Sequence, residues 1–125
     1  MKAVIYARLT NHEADKLTEQ VEMLSEEIQK NPHLELAGVY SEFGGGGGAA
    51  PPPEMRRMLE DCTAKGIRLV FMRDISRVAK GFYDLDKRMK LFQKRNIAIW
   101  FVQESMSSMS TVGTIPVSQI FGDRN

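Results

Sequence analysis

The sequence predicts an α/β domain, a mostly parallel central sheet of four to five strands with helices layered on its faces. Two observations predict it. Four short apolar runs, at 2–9, 34–41, 67–72 and 97–102, have the length and composition of buried strands. The segments between them carry apolar residues at helical spacing, so the order reads β-α-β-α-β-α-β, and strands separated by helices pair in parallel. At 125 residues the chain is long enough for one core and too short for two.

The first run, Lys2-Ala3-Val4-Ile5-Tyr6-Ala7-Arg8-Leu9, reads as a strand of the fully buried kind that delivers an arginine to the loop after it. Thr10-Asn11-His12-Glu13 matches a capping box, with the Thr10 hydroxyl positioned to accept the backbone N–H near Glu13. Leu17, Val21, Leu24 and Ile28 then make one apolar stripe on a helix of about five turns, which Asn31-Pro32 stops. Leu34 to Ser41 is a second strand, with Val39 and Tyr40 supplying β-propensity.

Residues 44–53 follow as a flexible Gly/Pro loop. Consecutive glycines from Gly44 to Gly48 maximise the entropy lost on ordering, and Pro51-Pro52-Pro53 end the run stiffly. A phosphate cradle is the sharper alternative, but the run lacks the Lys-Ser/Thr that completes a P-loop. Pro53 suits the first turn of a second helix, with Met55, Leu59 and Cys62 inward and Gly66 closing it.

Ile67 to Met72 is a third strand and Arg73 to Tyr83 a loop or short irregular segment. Asp84 starts a third helix with Leu85, Met89 and Phe92 inward, and Ile97 to Val102 is the fourth strand. Beyond Glu104 the pattern fades into a polar connector, from Ser105 to Thr111. Ile115, Val117, Ile120 and Phe121 are apolar with no long element to belong to.

Composition narrows the function classes. Hydrophobic content of 42% and charged content of 26% are those of an ordinary globule. No run of about 18 apolar residues exists, and the N-terminus carries no signal-peptide pattern, so no membrane partner is expected. Cys62 is alone, which excludes an internal disulfide and fits a reducing cytoplasm; it reads as a small core residue. His12 and His33 have no Cys or His at ligand spacing, so no metal is expected. A net charge of +1 is too small to announce nucleic-acid binding, yet positive charge is clustered. Lys87, Arg88, Lys90, Lys94 and Arg95 read as a solvated helix face. Arg73, Arg77 and Lys80 directly follow a buried strand, where chemistry in α/β sheets tends to sit.

Six passages in register carry a family resemblance. Tyr6-Ala7-Arg8-Leu9-Thr10 is similar to the Tyr-Ala-Arg-x-Ser with which catalytic domains of serine recombinases, the resolvase/invertase family, begin. Gln20 and Leu24 sit where that family has a glutamine and a leucine on its first helix. Asn31 to Tyr40 resembles the second strand of the large serine recombinases of mobile elements. Pro53-Glu54-Met55-Arg56-Arg57-Met58-Leu59 is similar to the family's Arg-Pro-Glu-x-x-x-Met-Leu, and Ile75-Ser76-Arg77-Val78-Ala79-Lys80 to its Ile-Ser-Arg-x-x-Arg. Gln103-Glu104-Ser105, with Gly113 downstream, resembles the lead-in to its long dimerisation helix, near whose start this chain is expected to stop.

The resemblance implies a resolvase-like fold and a domain that cuts and rejoins DNA in the site-specific strand exchange of a mobile element. In that family a serine attacks a phosphodiester, leaving a 5′-phosphoserine link and a free 3′-hydroxyl, with no metal or nucleotide cofactor. Guanidinium groups stabilise the dispersed charge of the transition state. The carry-over makes Thr10, Arg8, Arg77 and Lys80 the catalytic candidates, and Arg8, Gln20, Arg73, Arg77 and Lys80 the DNA phosphate-binding candidates. DNA is the implied partner, with a second copy or a full-length recombinase as the protein partner.

Departures from the family pattern point to impaired chemistry. Thr10 stands at the nucleophile position, Lys80 at an arginine position and Pro52 where an arginine should precede Pro53; Glu42 replaces an aspartate, and Gly46-Gly47 a Ser-Gly. The β-methyl of Thr10 crowds an in-line approach, and its capping-box setting explains the residue without chemistry. Gln20 fits a structural role as well as a functional one. Two alternatives therefore stand beside the enzyme: a non-catalytic pseudo-recombinase that associates with itself or a full-length partner, and a phosphate-binding α/β module unrelated to DNA.

Overall fold

A computed structural model describes residues 1–44 and 50–122. Its elements are β1 (Lys2–Leu9), α1 (Leu17–Gln29), β2 (Glu35–Phe43), α2 (Pro53–Lys65), β3 (Leu69–Met72), α3 (Phe82–Lys94), β4 (Ala98–Phe101), β5 (Met106–Ser107), β6 (Thr111–Val112), β7 (Ile115–Pro116) and α4 (Val117–Phe121). Two 3₁₀ turns, Asn11–Lys16 and Ile75–Arg77, precede α1 and α3.

Five strands form the sheet in the order β2-β1-β3-β4-β5, parallel except for β5. The α/β class and its mostly parallel sheet are thus those the sequence predicts. Strand β1 lies between β2 and β3 and is covered on both faces, which is why Ala3 to Leu9 run without a break in burial. Alternate side chains feed two cores. Val4, Tyr6, Val70, Met72, Ile99 and Phe101 pack against Met55, Met58, Leu59 and Cys62 of α2 and Phe92 of α3. Ala3, Ile5, Ala7, Leu69, Phe71 and Trp100 pack against Leu24 and Ile28 of α1 and Ile120 of α4. Truncating one such side chain, Ile5→Ala for example, costs about 2–5 kcal/mol.

Chain direction positions everything that follows. From β1 the sheet grows one way to β2 and then reverses to β3 and β4. The ends of β1 and β3 therefore part around a crevice, the topological switch point at which parallel α/β sheets bind ligands.

Several expectations need correction. The helix after Thr10 opens as a 3₁₀ turn and becomes α-helical only at Leu17. Helix α3 starts at Phe82, two residues before Asp84, because Gly81 supplies the extended N-cap. Arg88 is no part of a solvated face. It is fully buried, since it lies three residues after Leu85 and four before Phe92, on the inward stripe. Its guanidinium donates to the carbonyls of Val78 (2.8 Å) and Ala50 (3.2 Å).

The segment after Glu104 is not a bare connector either. It forms edge strand β5, the β6–β7 hairpin and α4. Asn31 donates to the Ile120 carbonyl at 2.8 Å. The Phe121 ring stacks on Trp100 with centroids 3.8 Å apart and planes 5° from parallel, a contact of about 1 kcal/mol. Residues 45–49, which hold most of the glycine run, and with them the reading of 44–53 as flexible, lie outside the described residues. Gly66 does close α2, in the left-handed region at φ 69° that a residue with a Cβ enters only at a cost of about 1–2 kcal/mol.

Candidate functional site

Arg8 is the next-to-last residue of β1, and Asp74-Ile75-Ser76-Arg77 turns tightly just after β3. The turn forms because the Asp74 carboxylate accepts the Ser76 N–H (3.0 Å) and hydroxyl, an N-cap within the loop. Asp74 also takes the Nε–H of Arg77 at 3.3 Å. Arg8 and Arg77 then grip each other's backbone. The Arg8 guanidinium donates to the Ser76 carbonyl (2.5 Å), and that of Arg77 to the Arg8 carbonyl (2.9 Å). Each arginine fixes the loop that carries the other. The Glu104 carboxylate, beyond β4, accepts the Ile75 N–H at 3.2 Å and ties the turn to the next strand.

A cleft of about 360 Å³ opens over this lock, lined by Arg8, Leu9, Thr10, His12, Gly44, Arg77 and Lys80. Among the described residues its lining holds three cations, a hydroxyl and an imidazole, and no carboxylate. Burial lowers the pKa of Arg8, and the charges of Arg88 and Arg77 add to that effect. Crowded positive charge of this kind is relieved by an anion, and guanidinium forks match phosphate geometry.

Glu13 guards the rim. One of its oxygens, Oε1, accepts from the Thr10 hydroxyl (3.1 Å), the Thr10 N–H (3.3 Å) and Arg77 (3.2 Å). Its other oxygen lies 4.0 Å from Arg73. The Arg77 hydrogen bond, reinforced by Thr10, holds the Glu13 carboxyl down at about 2. Such a carboxylate is a charge partner and a poor proton acceptor. Behind the cleft, Glu42 faces α2, where it accepts the Tyr6 hydroxyl (2.7 Å) and the N–H groups of Glu54 (2.9 Å) and Met55 (3.3 Å). Burial and this bond raise the Tyr6 pKa. A negative charge at the start of α2 suits the helix dipole, so Glu42 pins α2 to β1 without entering the cleft.

A family profile described as "Resolvase, N terminal domain" matches residues 3–123. The chain belongs to the resolvase N-terminal domain family. Among solved structures it is similar to the N-terminal catalytic domain of TP901-1 integrase, with TM-score 0.74 and 21% identity over 91% of this chain and 86% of that one. A resolvase family site-specific recombinase from Streptococcus pneumoniae gives TM-score 0.71 and 21% identity, covering 86% and 76%. The C-terminal catalytic domain of ISC1926 TnpA, an IS607-like serine recombinase, gives 0.69 and 16%, covering 82% and 69%. At these identities the likenesses establish the shared fold. No curated protein sequence matches the chain.

In this resolvase domain the six candidate residues divide. Arg8, Thr10, Arg77 and Lys80 converge on the one cleft. Gln20 and Arg73 line a neighbouring hollow of about 400 Å³ with Leu9, Glu13, Lys16, Glu19 and Met23. Gln20 is buried, and its Oε1 has no hydrogen-bond partner among the described residues. Glu13 stands between the two groups.

Sequence reasoning missed Glu13 as a partner of Arg77, His12 as a lining residue and Asp74 as the clamp on Arg77. The capping box contained Glu13, and the Asp-x-Ser spacing is that of a side-chain-capped turn. No local signal pairs Glu13 with Arg77 across the fold. Among the described residues no three of His, Cys, Asp and Glu converge as a metal site would require. Cys62 lies in the α2 core, where burial pushes its thiol up to about 11.

Proposed function

We propose that this resolvase domain acts on DNA phosphodiesters, with the cleft of Arg8, Thr10, Arg77 and Lys80 seating the scissile phosphate. The observation that carries the reading is the convergence of three cations and a hydroxyl at the sheet's switch point, with Glu13 at the rim and no carboxylate in the lining among the described residues. In the reaction the Thr10 oxygen attacks phosphorus and gives up its proton. The 3′-oxygen of the departing strand leaves and takes a proton, and the 5′-end stays on Thr10 as a phosphate ester. Attack by another strand's 3′-hydroxyl reverses these bonds and completes exchange. Arg8 and Arg77 stabilise the equatorial oxygens, and Lys80 adds charge without a fork.

The chemistry is slow in this chain. Thr10 carries a β-methyl and spends its hydroxyl on Glu13, Lys80 lacks the bidentate donor set, and Pro52 offers none. The same hydrogen bond favours a second reading: a domain that binds DNA phosphates and pairs with itself or a full-length recombinase without cutting. Covalent capture separates the two. Incubated with end-labelled genomic fragments, the chain should yield a denaturant-resistant DNA adduct that maps to Thr10 by mass spectrometry and disappears in Thr10→Ala. DNA retention sensitive to Arg77→Ala, with no adduct from the chain or from Thr10→Ser, would establish the second reading. No retention at all would defeat both.

A further inference from the structure

We propose that Phe82 and Tyr83 form a stacking platform for an unstacked DNA base beside the phosphate held in the cleft; this rests on the DNA reading above. Phe82 is 91% exposed and Tyr83 70%, in the first turn of a helix that packs Leu85, Met89 and Phe92 inward. Two adjacent rings in water serve neither the core nor the helix. Lys80, two residues before Phe82, lines the cleft, so chain geometry keeps Phe82 within about 7 Å of it, Cα to Cα.

Charge around the rings selects the partner. Lys87 lies over the Tyr83 ring, 4.4 Å from its centroid, a cation–π contact with one face of a largely exposed ring. The nearby carboxylates have other roles: Asp86 pairs with Lys90 at 2.9 Å, and Asp84 sits in the first turn of α3, where the helix dipole favours it. Rings flanked by Lys80 and Lys87 suit a polyanion that carries flat apolar groups, which is a nucleic acid strand. A second copy presenting the same patch would set lysine against lysine, because a two-fold interface repeats one surface on both sides. Bases within a continuous duplex hide their faces. The platform therefore favours DNA with a displaced base, such as a bulge or mismatch.

The test compares binding of a perfect duplex and of the same duplex with one central bulged base, at fixed salt, for the full 125-residue chain. The bulged duplex should bind about tenfold more tightly. Phe82→Ala/Tyr83→Ala should erase that preference, and Phe82→Trp, which keeps a ring, should retain it. Both side chains are exposed, so an unchanged melting curve verifies the fold of each variant.

A preference that survives the double substitution overturns the platform while leaving the DNA reading intact. So does a double variant that changes the sedimentation of the free chain and leaves DNA binding alone, since the rings would then be a protein contact. Failure of the unmodified chain to bind either duplex overturns the DNA reading itself.

Discussion

Arg77 and Arg88 are both buried guanidiniums within one small domain, and they differ in whether carboxylates at an open cleft help to hold them. Arg77 leans on the carboxylates of Asp74 and Glu13 and the carbonyl of Arg8, at the wall of an open cleft. Arg88 is wholly enclosed and reaches the backbone carbonyls of Val78 and Ala50. A carboxylate can be exchanged for a phosphate oxygen at little cost, because both offer charged acceptors to the same fork. A carbonyl fixed in the chain cannot be exchanged. The contrast assigns them different work: Arg77 is kept ready for an anion, and Arg88 fastens the loop after β3 and the end of the Gly/Pro segment to α3.

Breaking the first half of that contrast gives the largest expected effect. Arg77→Lys keeps a positive charge and loses the fork, so strand cleavage should fall about 10²–10³-fold, with the melting temperature lowered far less. Adduct yield over time measures the first and calorimetry the second. Arg88→Ala should do the reverse: about 3 kcal/mol of folding free energy lost to a cavity and unsatisfied carbonyls, read from urea unfolding. Equal losses of stability from the two would erase the distinction.

Sharpening the comparison at the nucleophile gives a smaller effect. Thr10→Ser alone should leave cleavage about 10²-fold below that of Thr10→Ser/Lys80→Arg, because the missing donor is the greater deficit. Parity between the two in a plasmid recombination assay would place the deficit on the β-methyl instead.

The smallest effect is the acid response of Glu13. Its folded pKa, about 2, lies below the unfolded value of 4.5. Its contribution is therefore complete above 4.5 and fades as pH falls towards 2. Water screens this partly exposed group and keeps the contribution below about 1 kcal/mol. The stability difference between the chain and Glu13→Gln should shrink over that window and stay flat above pH 5.5. A difference that grows on acidification would mean that Glu13 is held protonated.

Much of this was legible along the chain because periodicity reports burial. The unbroken apolar run of β1 announced a fully buried strand, and Gly66 announced the end of α2. Arg8, Thr10, Arg77 and Lys80 were legible as motif positions, and the fold brings them to one cleft. Where charge and spacing disagreed, charge misled: the stripe Leu85, Arg88, Phe92 marked Arg88 as inward, but a run of basic residues read as a wet face. Contacts between distant segments left no local trace, as with Arg77 and Glu13 or Glu104 and Ile75. The apolar residues near the C-terminus needed a surface that only the assembled sheet supplies, the flank of Trp100 that Phe121 covers.

The bond from Asn31 to the Ile120 carbonyl spans 89 residues of chain. Together with the stack of Phe121 on Trp100, it can form only after β1, β3 and β4 have assembled beneath it. Closing so long a loop is entropically slow, and the contact is worth nothing until the intervening chain is ordered. In kinetic terms such a contact is expected to act as a latch set after the rate-limiting step. Weakening it with Asn31→Ala should leave the folding rate nearly unchanged and speed unfolding. The last helix thus governs how long the domain stays folded, and has little say in how quickly it gets there.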